Sequence, residues 1–395
     1  MSESMYKTRA QERYNQVYRI ILKSLGIWPY QQTCFVRLQQ MFNTGVLVLF
    51  ILAQSLVFIT NQYDINLLLK IFSFLFPNLF ATVNYVGFIV MADNLKILLD
   101  QIQNDWNLLK DKLEIDIIKK YACNMRLFAI SVIVFCYLVM LSCGIFESIP
   151  LILDIILPLN ESRPIKLMAM TEYFIDQEKY IYYLMLHESL TGYIGMLSLC
   201  GIGVILVMVC MHSCALFKIA SYRIENVIDK SVLPRREYLL YQRIVHAVVM
   251  HQRAIEYLDF VNSIFATYFV ILIIIGVSSF SINLFQLFQY IRYSNDIRIT
   301  IISLVITMFH LTYMFTLNYP GQEMINQGLY FFKACYNNLW YVAPLHIQKL
   351  LLFIMQRGSI DTTFVIGKIY VGSFEGFATL MSTAISYFTV IYSTR

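Results

Sequence analysis

The sequence predicts an all-α, polytopic membrane protein with seven transmembrane helices, its N-terminus cytoplasmic and its C-terminus extracellular. Three observations lead there. Of 395 residues, 58% are hydrophobic and 14% charged, whereas soluble chains carry about 25% charged residues. Seven apolar runs are long enough to span, since a membrane helix needs about 20 residues at 1.5 Å each. The basic residues then divide strongly between the two sides. The same arithmetic excludes other classes. Gly 15 and Pro 8 are too few for low-complexity sequence, and a net charge of +5 implies no nucleic-acid partner.

The elements follow in order. Residues Met1 to Lys23 are charged and lack the apolar core and cleavage site of a secretory signal, so the first span is expected to serve as its own insertion signal. The spans are expected at 38–59, 67–91, 127–149, 190–216, 263–290, 299–319 and 371–393. The run Leu345–Gln356 is apolar but too short to cross, and reads as a buried or interfacial helix. With the N-terminus inside, the segments 1–37, 92–126, 218–262 and 320–362 hold 22 of the 30 Lys and Arg, against 6 in the outside segments. This obeys the positive-inside rule. The sequon Asn160-Glu161-Ser162, a glycosylation candidate, falls in the long outside loop 148–189.

Two inside segments carry helical patterning of their own. Leu240, Ile244, Val248, Ile255, Leu258 and Val261 recur at helical spacing with no breaker before the fifth span. One rod extending below the membrane is therefore expected. Residues 325–356 are rich in aromatics and should pack against 239–261, and against other copies. Alternating charges in 92–126 read as a solvated helical hairpin.

Catalytic and metal motifs fail one by one. His187-Glu188 lacks the second His of a metalloprotease helix. The eight cysteines show no zinc spacing, and Cys210 with Cys214 reads as packing. No cofactor is expected, and no paired intramembrane carboxylate. His212, His310, Lys368 and Glu375 are placed near cytoplasmic helix ends as packing or interfacial residues. Inverted repeats of a transporter are not found. A G-protein-coupled receptor would need the opposite topology, an Asp/Glu-Arg-Tyr triplet and Asn-Pro-x-x-Tyr, of which Asn318-Tyr-Pro320 is not an instance. The aromatic load remains. Phe72, Phe76 and Phe80, with Phe135, Tyr137, Ser142 and Phe146, and with Tyr193, Met196, Leu197 and Cys200, are expected to line a dry pocket for a small volatile ligand.

The last seventy-five residues carry a series of motifs: Tyr319-Pro-Gly321, Ala334-Cys-Tyr336, Trp340, Ile366-Gly-Lys-Ile-Tyr370, Ser373-Phe-Glu-Gly-Phe377 and Ser386-Tyr387-Phe388-Thr-Val390. This series resembles the C-terminal signature of the insect odorant receptors. The resemblance implies a tetrameric, odorant-gated, non-selective cation channel assembled with a shared co-receptor, with a volatile organic ligand bound among helices two to six. It implies that 345–356 is the cytoplasmic half of a split seventh helix, and that Val390 forms the pore gate, with the polar Thr394 one turn beyond in a position where the co-receptor is apolar. Residues 218–262 leave no room for the co-receptor's insertion, so an odorant-tuning subunit is expected. Gustatory receptors, the sister family, end in Thr-Tyr with a downstream Gln-Phe pair, and Ser386-Tyr387 departs from that pattern. Four segments are implied: 1–37 as a cytoplasmic N-terminal segment, 38–319 as helices one to six with the odorant-binding bundle and the 218–262 extension, 320–362 as a cytoplasmic anchor, and 363–395 as the pore-lining seventh helix. The resemblance places the protein in the plasma membrane of a sensory dendrite.

Overall fold

The computed structural model describes residues 16–394 except Gln32, Tyr63, 158–162, 164–166, 229–236, 294–296, Asp361 and Lys368. Asn160 and Lys368 thus lie outside the described residues. The described helices are α1 (16–24), α2 (Cys34–Thr60), α3 (Ile65–Val90), α4 (Ala92–Leu108), α5 (Lys112–Ile156), α6 (Ile181–Glu225), α7 (Glu237–Tyr293), α8 (Ile297–Asn337), α9 (Leu345–Gly358) and α10 (Phe374–Ser393). Seven of them, α2, α3, α5, α6, α7, α8 and α10, are long and apolar enough to cross a membrane. They coincide with the seven expected spans. In hydrocarbon only intrahelical hydrogen bonds satisfy the backbone of such runs, which is why apolar length alone locates them.

Four of the spans overshoot the bilayer. Helix α7 runs unbroken for 57 residues, roughly 85 Å at 1.5 Å per residue. Its extension below the fifth span is the rod expected from the 240–261 periodicity. The overshoots of α5 to α8, with α4 and α9, gather at one end of the bundle, here the anchor end. There Phe331 of α8 stacks on His251 of α7 with ring centroids 4.0 Å apart, so 239–261 and 325–356 do pack together. The 92–126 hairpin is present, but it is not solvated all round. Leu95, Leu98, Ile102 and Trp106 of α4 and Ile115 and Ile118 of α5 are buried in the main core, because alternating charges occupy one face only.

Helix α6 is the axis around which the others pack. Its stretch from Ser198 to Leu206 is buried on every side, as an all-round apolar sequence requires. Small residues permit close approach: a Cβ on Gly201 would stand 2.6 Å from Ile21 of α1. The β-hairpin β1 (Phe364–Ile366) and β2 (Tyr370–Gly372), paired antiparallel between α9 and α10, was not expected of an all-α chain. It is short, and Gly367 makes its turn at φ +58°, where a Cβ would meet Val270 at 2.4 Å. Ser373 then caps α10, accepting the Gly376 N–H at 2.9 Å.

Candidate functional site

The C-terminal motifs meet at one place. Pro320 sits inside α8, and Gly321 beside it lies so close to β2 that an added Cβ would be 1.9 Å from the Gly372 carbonyl oxygen. Only glycine allows this backbone approach. Tyr370 donates its hydroxyl to Asn318 Oδ1, and the Phe374 N–H donates to Gln322 Oε1 at 3.2 Å. The hairpin is thereby fastened to α8 immediately before α10 begins.

Above this seam the bundle is hollow. A cavity of about 560 Å³ extends between α3, α5, α6, α7 and α8, from the end opposite the anchor down to Asn318, Gly321, Tyr370, Gly372 and Leu380 at the seam. That volume suits a small organic molecule. The segment 167–180 covers the far end. Met168 and Ala169 line the cavity there, the Glu172 N–H donates to Ala53 O at 2.9 Å, and the Tyr173 hydroxyl lies 2.7 Å from His187 Nδ1.

The walls are mainly apolar and aromatic. Each helix contributes a stripe at helical spacing: Ser73, Phe74, Pro77, Asn78 and Ala81 from α3, and Val139, Met140, Cys143, Gly144 and Glu147 from α5. Phe80 and Tyr313 meet edge to face at 5.7 Å. Of the eleven residues expected to line a pocket, Phe80, Tyr193 and Met196 do so. The other eight lie elsewhere. Phe72 and Phe76 meet edge to face and pack against the cluster of Leu69, Ile282 and Phe285, which also meets Phe388 of α10. Phe135 stacks on Phe309 at 6.5 Å. Ser142 and Phe146 occupy the stripe one position short of the lining one. Leu197 packs against the main core, and Cys200 is buried. Tyr137, at 66% exposure, faces outward.

Two features of the cavity contradict the sequence reading. His310 is not at a helix end; it lines the mid-cavity wall. Its Nδ1 lies 2.8 Å from Ile306 O and so carries the proton, leaving Nε2 to accept from the Ser279 hydroxyl at 2.8 Å. A paired carboxylate is also present: Glu147 of α5 and Glu188 of α6 face each other at the covered end. The signal available was each glutamate alone in or beside an apolar run; their pairing across 41 positions has no local mark. His212, by contrast, is a packing residue as expected, its Nε2 2.8 Å from Asp105 Oδ2 in the core of the anchor end.

On α10, Leu380 and Ala384 are buried, with Phe377 against α8. The opposite side, Thr379, Thr383, Ser386, Val390, Ser393 and Thr394, is exposed. It forms a hydroxyl stripe in which Val390 is the apolar member.

Comparison with known proteins accords with this architecture. The family model described as 7tm Odorant receptor matches residues 64–385. Odorant receptor Or2 of Anopheles gambiae is 26% identical over 152 residues, 38% of this chain and 39% of that protein, so the match spans well under half of either. The structure of the olfactory receptor OR5 from Machilis hrabei in complex with eugenol superimposes with a TM-score of 0.79 at 14% identity, covering 98% of this chain and 100% of that one. The structure of the same receptor without a named ligand gives 0.79 at 15% identity; at such identity the likeness speaks for the fold. The family match covers most of the chain and agrees with seven membrane-length helices: this multi-pass membrane protein belongs to the 7tm odorant receptor family.

Proposed function

We propose that the chain is the odorant-tuning subunit of a tetrameric, odorant-gated, non-selective cation channel assembled with a shared co-receptor. The observation that carries this reading is the reach of the cavity, which runs from the covered end to Gly372 and Leu380, at the root of α10. A ligand that fits better when these walls are displaced moves the helix fastened to them, and only such differential affinity shifts a closed-to-open equilibrium. The exposed hydroxyl stripe of α10 supports a pore-lining role. Facing lipid it has no function; facing water in a ring of four it lines a conduit, closed by Val390 through dewetting.

In this reading Phe80, Tyr193 and Met196 touch the odorant, while Thr394 has a lesser part in sealing. The segments keep their roles: 1–37 cytoplasmic, 38–319 the odorant-binding bundle, 320–362 the anchor and 363–395 the pore helix. The anchor end faces the cytoplasm, as the distribution of Lys and Arg supports. Its exposed apolar side chains, among them Phe353 at 70% exposure with Leu345 and Leu352, need cover from neighbouring subunits. Eugenol is the ligand of the Machilis hrabei receptor structure; a volatile of similar size is expected here, at the plasma membrane of a sensory dendrite.

The test is co-expression with a co-receptor and recording under a volatile panel. An odorant-evoked cation current is expected, and Val390→Ala should raise the basal current about tenfold, about 1.4 kcal/mol of lost closure. Normal surface delivery with no evoked current, and an unchanged basal current in the variant, contradict the reading.

A further inference from the structure

Resting on the reading of the cavity as an odorant site, we propose that Glu147 and Glu188 form an acidic head-group site that selects aliphatic amines, holding the ammonium between the two carboxylates. Both side chains line the cavity at its covered end. Glu188 Oε1 is held by the Ala169 N–H at 2.7 Å, and the Ser189 hydroxyl supports Glu147. Two oxygens remain: Glu147 Oε1 and Glu188 Oε2 are buried with no donor from any other described residue, and the two carboxyl groups have only each other within hydrogen-bonding reach there. Neither glutamate takes part in an ion pair among those residues, and no Lys or Arg lines the cavity.

Buried carboxylate oxygens are ordinarily paired, and removing one from water without a partner is costly. Two carboxylates facing each other in an apolar wall add repulsion to that cost. An ammonium carries three N–H donors and one positive charge, so it donates to both orphan oxygens and offsets the repulsion between them. Neutral alcohols supply one donor and no charge. The wall below the pair, Phe74, Met140, Met196 and Leu199, is apolar and accepts an alkyl tail. No bond forms or breaks; the amine enters with its proton.

The experiment is isothermal titration of n-octylamine and of 1-octanol into the full-length protein in phosphatidylcholine nanodiscs, with empty discs subtracted. Wild type is compared with Glu147→Gln, Glu188→Gln and the double variant. The wild type should bind octylamine at least about tenfold more tightly than octanol, and the double variant should lose that preference while octanol affinity moves by less than about threefold. Equal wild-type affinities overturn the proposal, a comparison that needs no variant to fold. So does an amine preference that survives in the double variant. Co-expression recordings separate this from the channel reading. Currents evoked by neutral volatiles without amine preference in binding remove the acidic site alone. Amine preference in binding without any evoked current removes the channel and leaves the site.

Discussion

The two ends of this bundle are built on opposite principles. At the anchor end the crossings are closely packed, with a cavity of only about 40 Å³ beside Trp106 and His212. Asp105 of α4 is buried between His212 of α6 and Arg253 of α7, Arg223 of α6 grips Glu114 of α5 with Nη2 2.9 Å from Oε2, and aromatic rings stack in the gaps. At the other end the same long helices surround a cavity of about 560 Å³, in whose wall Glu147 Oε1 and Glu188 Oε2 are buried without a donor. Native interiors pack as densely as organic crystals, so a void of this size reflects use rather than neglect. On the proposed function the difference is a division of labour: the filled end holds the helices in register, and the hollow end is left free to recognise.

The sharpest way to break this contrast is at Asp105. Asp105→Asn leaves His212 and Arg253 without their shared anion, and breaking a buried pair costs about 3–5 kcal/mol. A fall in melting temperature and in surface delivery should follow. If both are unchanged, the filled end is not what stabilises the protein.

A pH titration probes the same end. Burial, and then the charge of Arg357, pushes His251 from an ordinary 6.5 down to about 4. The unfolded chain therefore binds a proton that the folded one refuses between those values. The contribution of a neutral His251 is complete above about pH 6.5 and is lost as pH falls toward 4, about 3 kcal/mol in all. Melting temperature should drop across that window, and His251→Phe should flatten the drop. Parallel profiles for the two proteins would remove His251 as the cause.

The hollow end should respond with smaller changes in stability and larger ones in tuning. Tyr193 lines the cavity and Phe146 does not. Tyr193→Ala should move the half-maximal odorant concentration by roughly fivefold, about 1 kcal/mol, and Phe146→Ala by less than about twofold. Equal shifts would mean that the lining stripe of α5 is misplaced.

The sequence made the filled end readable and the hollow end only partly so. Apolar length locates spans because backbone hydrogen bonding in lipid is satisfied locally, and the α7 extension showed itself through a water-facing side, as Leu240, Ile244 and Val248 alternate with exposed polar residues. Inside the membrane that cue disappears. Helix α5 presents Val134, Leu138, Leu141 and Ile145 outward and Val139 and Met140 to the cavity. Both faces are apolar, so no amphipathic stripe distinguishes Cys143 and Glu147 from Ser142 and Phe146. The choice depends on how α5 is rotated against α6, a tertiary fact. Phe72 and Phe76 were conspicuous as large aromatics, yet ring size marks packing against α7 and α10 as readily as a ligand wall. The C-terminal motifs were legible as a signature, but their reason, the fit of Gly321 against Gly372, needed the fold.

The central claim, that the cavity receives the odorant and drives the pore, is tested most directly at Gly144. This residue lines the cavity, and a Cβ added there meets nothing within 4 Å. Gly144→Phe should therefore fold and reach the surface normally while occupying the space. With surface density matched, evoked current over the volatile panel should fall by at least about tenfold, with basal current unchanged. An unaltered concentration–response curve in Gly144→Phe would contradict the account.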